Sequence, residues 1–275
     1  MIDTAYLKQQ AKFLRVETLK IHKAAPEVRV ASSLSPIEIF ASLFYGKLLN
    51  YNPKNPRDEN RDRLIISKGH GSICMYPLLA DLGFFDKDEL NRVCKSGSFL
   101  GGIPDPIIPG YETVNGSLGH GLGVACGIAL ALKTKRSAKK AVVLTGDGEL
   151  NEGANWEAIM CAAQHKLDNL TLIVDYNKVS MLDFSKNIID LNSLSEKFKA
   201  FNWDVYEVED GHNIEQVYNT LKTAFLDQHQ KPKVVIAHTV KGKGIPFLET
   251  HPLSHILSVK EGDIDGLIEE INNAD

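Results

Sequence analysis

Residues 145–181 read TGDGELNEGANWEAIMCAAQHKLDNLTLIVDYNKVSM. The apolar run KAVVLTGDG ends with Asp147 between two glycines, a helical stretch NWEAIMCAAQHKL follows, and a second apolar run, LTLIVDYN, ends on Asn177. Further strand patterns, LIISKGHGS upstream and WDVYEVE and PKVVIAHTVKG downstream, alternate with the helical patterns GLGVACGIALALKTK, LNSLSEKFKAF and NIEQVYNTLKTAFLDQ. Apolar β-branched strands alternating with helices predict a parallel sheet covered on both faces. The fold class is therefore α/β, a doubly wound, mostly parallel sheet. No repeat, low-complexity tract or linker divides the chain, so residues 1–275 read as a single domain, with residues 1–60 mainly a helical extension.

That extension has two helical patterns, AYLKQQAKFLRVETLKIH and SPIEIFASLFYGKLL, the second opening on Ser35 as N-cap and Pro36 in the first turn. YNPKNPRDENRDR is a polar loop, CMYPLLADLGFF is helical, and KDELNRVC begins another helix. GSFLGGIPDPIIPGYETVNGSLGHG matches no regular element and has the length of a binding loop. KEGDIDGLIEEINNAD predicts a final polar helix. A net charge of −4 and a pI near 6.1 provide no basic field for nucleic acid or anionic membranes. The N-terminus has no apolar leader core, and no run approaches the ~18 apolar residues of a membrane span. Cys74, Cys94, Cys126 and Cys161 are far apart without a CxxC pair and predict reduced core thiols in a cytoplasmic protein.

In open parallel sheets ligands gather beyond the carboxyl ends of strands, where a glycine-rich turn into a helix offers backbone N–H groups to an anion. At that edge Asp147 supplies a hard oxygen, Asn177 a second, and a nearby backbone carbonyl a third. Magnesium takes few protein ligands and completes its octahedron with water and phosphate oxygens. The pattern calls for Mg²⁺ and a diphosphate. With no GxxxxGK[ST] loop and no GxGxxG fingerprint, it is neither an ordinary nucleotide triphosphatase nor a Rossmann dehydrogenase.

GDG followed about thirty residues later by Asn, in GDGELNEGANWEAIMCAAQHKLDNLTLIVDYN, resembles the thiamine diphosphate motif as transketolases carry it. SSLSPIEIFASLFYG, ISKGHGSICMYPLLADLGFF, PGYETVNGSLGHGLGVACGIALALK, DGHNIEQVYNTL and HTVKGKGIPFLE also resemble transketolase segments, in order. The resemblance implies a thiamine diphosphate-binding fold and the N-terminal, diphosphate-side subunit of a split transketolase. It implies Mg²⁺ ligation by Asp147, Asn177 and the carbonyl of Val179. Gly148, His70 and His255 would face the diphosphate, Gly116 and Leu118 would line the thiazolium and pyrimidine, and Met181 would pack below the thiazolium. Glu152 would reach an activating glutamate of the partner. The implied partner is a pyrimidine-binding C-terminal subunit in an α2β2 heterotetramer, and the implied reaction moves a two-carbon ketol unit from a ketose to an aldehyde.

Three positions depart from the family pattern. Arg29 and Ile103 stand where transketolases carry histidines that contact sugar hydroxyls or reacting oxygens, and His120 replaces a glutamine. A guanidinium suits a carboxylate or phosphate better than a neutral diol. The departures leave two other readings open: a decarboxylating transferase acting on a 2-oxo acid such as pyruvate, and a cofactor-binding homologue without turnover. Several features also have plain structural readings. A lone GDG is more often a simple turn, Glu152 is a favourable acid in a first helical turn, and Arg29 can belong to a surface loop. The HPLSH spacing, with Pro252 inside and no cysteine, does not read as a zinc site.

Overall fold

A computed structural model describes residues 3–114 and 116–273. Helices α1 (Thr4–Ala24), α2 (Val30–Leu34) and α3 (Ile37–Phe44) precede strand β1 (Arg63–Ile66) and helix α4 (Met75–Asp81). Then come α5 (Gly121–Thr134), β2 (Ala141–Gly146), α6 (Gly153–Gln164), β3 (Leu170–Tyr176), α7 (Ser185–Ile188) and α8 (Leu194–Ala200). The chain continues through β4 (Asp204–Val208), α9 (Ile214–Leu226), β5 (Lys233–His238), α10 (Pro246–Glu249) and α11 (Glu261–Asn273).

Among the described residues five strands form one sheet in the order β1-β2-β3-β5-β4, with parallel pairing between each pair of neighbours. The chain steps from β1 to β3 in one direction, passes to the outermost position for β4, and returns to insert β5. Because crossovers keep one hand, that reversal sends α9 to the opposite face from α5, α6 and α8. The two cores reflect this. Leu64, Ile66, Val142, Leu144 and Val235 pack with α1–α4, α9 and α11, whereas Ile65, Val143, Leu172, Val174 and Ile236 pack with α5, α6 and α8. Successive residues of one strand thus enter opposite cores, which is why the strands read as unbroken apolar runs.

Local chemistry fixes several helix starts. Asp3 accepts from the Tyr6 amide at 2.9 Å, Ser193 from Glu196 at 3.1 Å, and Asn213 from Glu215 and Gln216 at 3.1 and 3.2 Å. The expected cap at Ser35 does not form. Ser35 is helical and buried between α2 and α3, and its hydroxyl donates instead to Asp175 at 2.6 Å. KDELNRVC forms only a short 3₁₀ turn, Lys87–Arg92, before the chain opens into the long loop. Helices α1–α3 share the buried core of the sheet's first face rather than standing off it. All four cysteines are unbonded, but only Cys74 and Cys126 are buried; Cys161 is exposed because α6 turns that side outward. No helix among the described residues is long and apolar enough to cross a membrane.

Candidate functional site

The carboxyl ends of β1, β2, β3 and β5 border a cleft of about 450 Å³. The long loop after residue 93 forms one wall and is pinned by its own apolar residues, Leu100, Ile108 and Tyr111, all buried. The hydroxyls of Tyr76 and Tyr111 lock it further, donating to the carbonyls of Gly101 at 2.6 Å and Ser72 at 2.9 Å. Ile103, Gly116 and Leu118 of this loop line the cleft. A tight segment after β3 forms the opposite wall. Lys178 turns the chain with φ +64, the amide of Ser185 returns to the carbonyl of Lys178 at 2.9 Å, and Val179 bridges Phe184.

Asp147 is 1% exposed, and burial raises its pKa. Its Oδ2 accepts from the Lys178 amide at 3.0 Å and the Ser185 hydroxyl at 2.9 Å, which aims the carboxylate across the end of β3. Asn177 is buried beside it, its Oδ1 accepting from the Val179 amide at 3.2 Å and its Nδ2 donating to Asp175 at 3.3 Å. The carbonyl of Val179 accepts from the Lys241 ammonium at 2.8 Å. A buried carboxylate, a carboxamide and a backbone carbonyl bordering one cleft form a hard-oxygen donor set of the kind magnesium takes, so the residues fit the ion.

The floor holds groups that the sequence reading did not single out. Asp175, fully buried on β3, pairs with the Lys68 ammonium and also accepts from Ser35 and Thr239. Burial opposes its ionisation, but the Lys68 charge and these hydrogen bonds hold the carboxyl below the usual range. Glu149 is 2% exposed; burial raises its pKa while it accepts from Ser67 and from the Gly119 and Gly146 amides, tying β1, the GDG turn and the long loop together. Lys68 and Lys241 both line the cleft. Burial and then the neighbouring Lys68 charge push Lys241 down to about 8. The available signal was the ion-pairing chemistry of SKGHG, LIVDYN and HTVKGKG: charged residues within buried strand ends need partners.

The His70 and His255 rings lie 4.9 Å apart at the cleft, and the Lys241 Nζ is 3.2 Å from His255 Nδ1. Each is pushed down to about 3, first by burial and then by the Lys68, Lys241 and Arg29 charges. Both rings are therefore neutral near pH 7. Gly148 and Met181 also line the cleft, and Met181 is 56% exposed. Arg29 lies outside the lining, exposed at the start of α2, yet near enough for its charge to act on both histidines. Glu152 and His120 are exposed at the N-terminal ends of α6 and α5. The two segments meet closely there: Gly119 has φ +86, and a Cβ on it would fall 2.6 Å from Glu152 Cβ. Leu182 and Ile188, not anticipated, extend an apolar rim beyond Met181.

A parallel sheet with oxygen donors and lysines gathered at its carboxyl edge is the arrangement of an α/β protein with a phosphate-compatible cleft. Residues 8–272 match the family described as "Transketolase, thiamine diphosphate binding domain". The chain is 40% identical over 269 residues to one of the apulose-4-phosphate transketolase subunits of Actinobacillus succinogenes, covering 97% of this chain and 96% of that one. It is 35% identical over 256 residues to the 6-deoxy-6-sulfo-D-fructose transketolase subunit of a Clostridium species, covering 93% and 92%. The Campylobacter jejuni transketolase structure superposes with a TM-score of 0.88 at 31% identity over 98% of this chain, which spans 43% of that longer protein. The chain belongs to the transketolase family, within its thiamine diphosphate-binding domain.

Proposed function

We propose that this chain supplies the diphosphate and magnesium half of a thiamine diphosphate site and, assembled with a pyrimidine-binding subunit, transfers a two-carbon ketol unit from a ketose to an aldehyde. One observation carries the reading: the oxygens of Asp147, Asn177 and Val179 border the same cleft as the buried Lys68 and Lys241, beside an exposed apolar rim at Met181 and Leu182. Thiamine diphosphate, when bound, supplies the carbanion stabilisation that cleaves and forms a C–C bond beside a carbonyl.

The chain's own residues bind and orient. Asp147, Asn177 and the carbonyl of Val179 hold Mg²⁺. Gly148, His70 and His255 face the diphosphate, and Lys68 and Lys241 supply its countercharge. Gly116, Leu118 and Met181 offer apolar and backbone surface to the rings and exclude water. Glu152 positions an activating glutamate of the partner, and His120 adds an ionisable group on the same side. Arg29 and Ile103 set the donor: Ile103 presents an apolar surface inside the cleft and Arg29 a cation at its mouth. Two relatives are named for apulose-4-phosphate and 6-deoxy-6-sulfo-D-fructose, both sugars with an anionic substituent, which favours a ketose over a pyruvate-type donor. The assembly is an α2β2 heterotetramer in the cytoplasm.

The test is reconstitution. The chain alone is expected to turn over neither ketose phosphates nor pyruvate, and adding its pyrimidine-binding partner should start ketol transfer from a ketose. Robust transfer by the isolated chain, or pyruvate as the preferred donor of the pair, overturns the reading.

A further inference from the structure

The Lys241 ammonium and the proposed magnesium ion share an oxygen. Lys241 Nζ donates to the carbonyl of Val179 at 2.8 Å, and a magnesium ion ligated by that carbonyl would lie about 2.1 Å from the same oxygen. A carbonyl has two lone pairs, so both can be accommodated, but the two positive centres are then no more than about 5 Å apart. Lys241 is 5% exposed, so bulk water does little to screen the repulsion.

The surrounding charges sharpen the effect. Asp175 is already paired with Lys68, and Glu149, its pKa raised by burial, is engaged by Ser67 and the Gly119 and Gly146 amides, which leaves Asp147 as the carboxylate facing Lys241. His70 and His255 add no negative charge, and Arg29 adds positive charge at the mouth. A bare divalent cation that takes Asp147 as its ligand would draw that carboxylate's charge away from Lys241 and leave the ammonium facing the ion. A cation arriving with a diphosphate brings net negative charge, and the same ammonium becomes a donor to phosphate oxygen.

We propose that Lys241 makes divalent-cation binding contingent on the diphosphate: it repels the free ion and attracts the ion–diphosphate complex. Metal and diphosphate therefore load together, not metal first. The inference rests on the proposed magnesium ligands, and its test separates the two. Mn²⁺ binding to the full chain is followed by electron paramagnetic resonance at neutral pH, with and without inorganic pyrophosphate, in wild type, Lys241→Met, Lys241→Arg and Asp147→Ala.

Removing the charge should tighten binding of Mn²⁺ alone by about tenfold or more and weaken binding of the Mn²⁺–pyrophosphate pair by a similar factor. Lys241→Arg, which keeps the charge, should follow wild type in both measurements, excluding a general loss of folding as the cause. Unchanged or weaker binding of Mn²⁺ alone in Lys241→Met overturns the proposal. If Asp147→Ala binds the Mn²⁺–pyrophosphate pair as wild type does, the metal ligands themselves are misassigned and the proposal falls with them. Loss in Asp147→Ala without any change in Lys241→Met refutes only the role of Lys241.

Discussion

Lys68 and Asp175, separated by 107 residues, form an ion pair whose side chains are 4% and 0% exposed. The pair joins the end of β1 to the end of β3 beneath the cleft, with Ser35 of the helical segment and Thr239 after β5 completing the carboxylate's hydrogen bonds. Breaking such a pair from one side strands a charge in a dry interior. Asp175→Ala should therefore destabilise the chain by about 3–5 kcal/mol in urea unfolding. A loss below about 1 kcal/mol would show that the lysine finds another partner.

Asp147→Ala should lower Mg²⁺-dependent thiamine diphosphate affinity of the assembled enzyme by about two orders of magnitude or more, since the ion loses its only charged protein ligand in the proposed set. Asn177→Ala, which removes a neutral ligand, should be milder. Calorimetric titration at saturating Mg²⁺ ranks the two; equal affinity in Asp147→Ala and wild type contradicts the metal assignment.

His70 and His255 have folded pKa values near 3, whereas an unfolded histidine titrates near ~6.5. Between those values the unfolded chain binds protons that the folded chain refuses, so stability rises with pH across that window and falls as pH drops through it. The urea midpoint without cofactor should decline from about pH 7 to about pH 5, and His70→Gln with His255→Gln should flatten that decline. An equal decline in the double variant would assign the effect to other groups, first to buried His22, which burial also holds below the ordinary histidine value.

Gly119→Ala should be costly for two reasons: φ is +86, and the new methyl would fall 2.6 Å from Glu152 Cβ. A destabilisation of about 1–3 kcal/mol is expected, together with reduced turnover in the assembled enzyme as Glu152 is displaced. Thermal unfolding and steady-state kinetics read the two effects, and a neutral substitution in both removes the argument for a fixed Glu152.

Arg29→His combined with Ile103→His restores the two ring donors of the family pattern. The relative kcat/KM for an ordinary ketose phosphate over the native donor should rise by about tenfold or more, because an unpaired buried polar group costs a few kcal/mol. No shift in preference, with an ordinary ketose phosphate already the best donor of the wild-type pair, would mean these positions do not set specificity.

Strand runs such as AVVLTG and LIVDY were legible because burial on both faces leaves mostly apolar residues, and their ends at GDG and at Asn177 were legible because glycines and a carboxamide interrupt those runs. The Lys68–Asp175 pair was not, because it joins segments 107 residues apart and neither neighbourhood advertises its partner. Ser35 misled for a related reason: a serine before a proline and an apolar run has every local mark of a cap, but its backbone is helical, the N-cap position of α3 falls on Pro36, and the Ser35 hydroxyl donates to the distant, buried Asp175. The α2 turn was hidden by its brevity, and KDELNRVC fell short of a helix where Val93 and the left-handed Cys94 divert the chain. Cys161 shows the limit of helical context alone, since the exposed side of α6 depends on what α6 packs against.

The position of β5 governs how this chain is born. The last strand made is not added at an edge but wedged between β3 and β4, so the sheet cannot close until residue 238 has left the ribosome. Until then β3 has an open side, β4 has no neighbour, and Asp175 lacks Thr239. Nascent chains halted before that point would hold unpaired apolar strands and no working floor to the cleft, making them substrates for chaperones and proteases rather than partial enzymes.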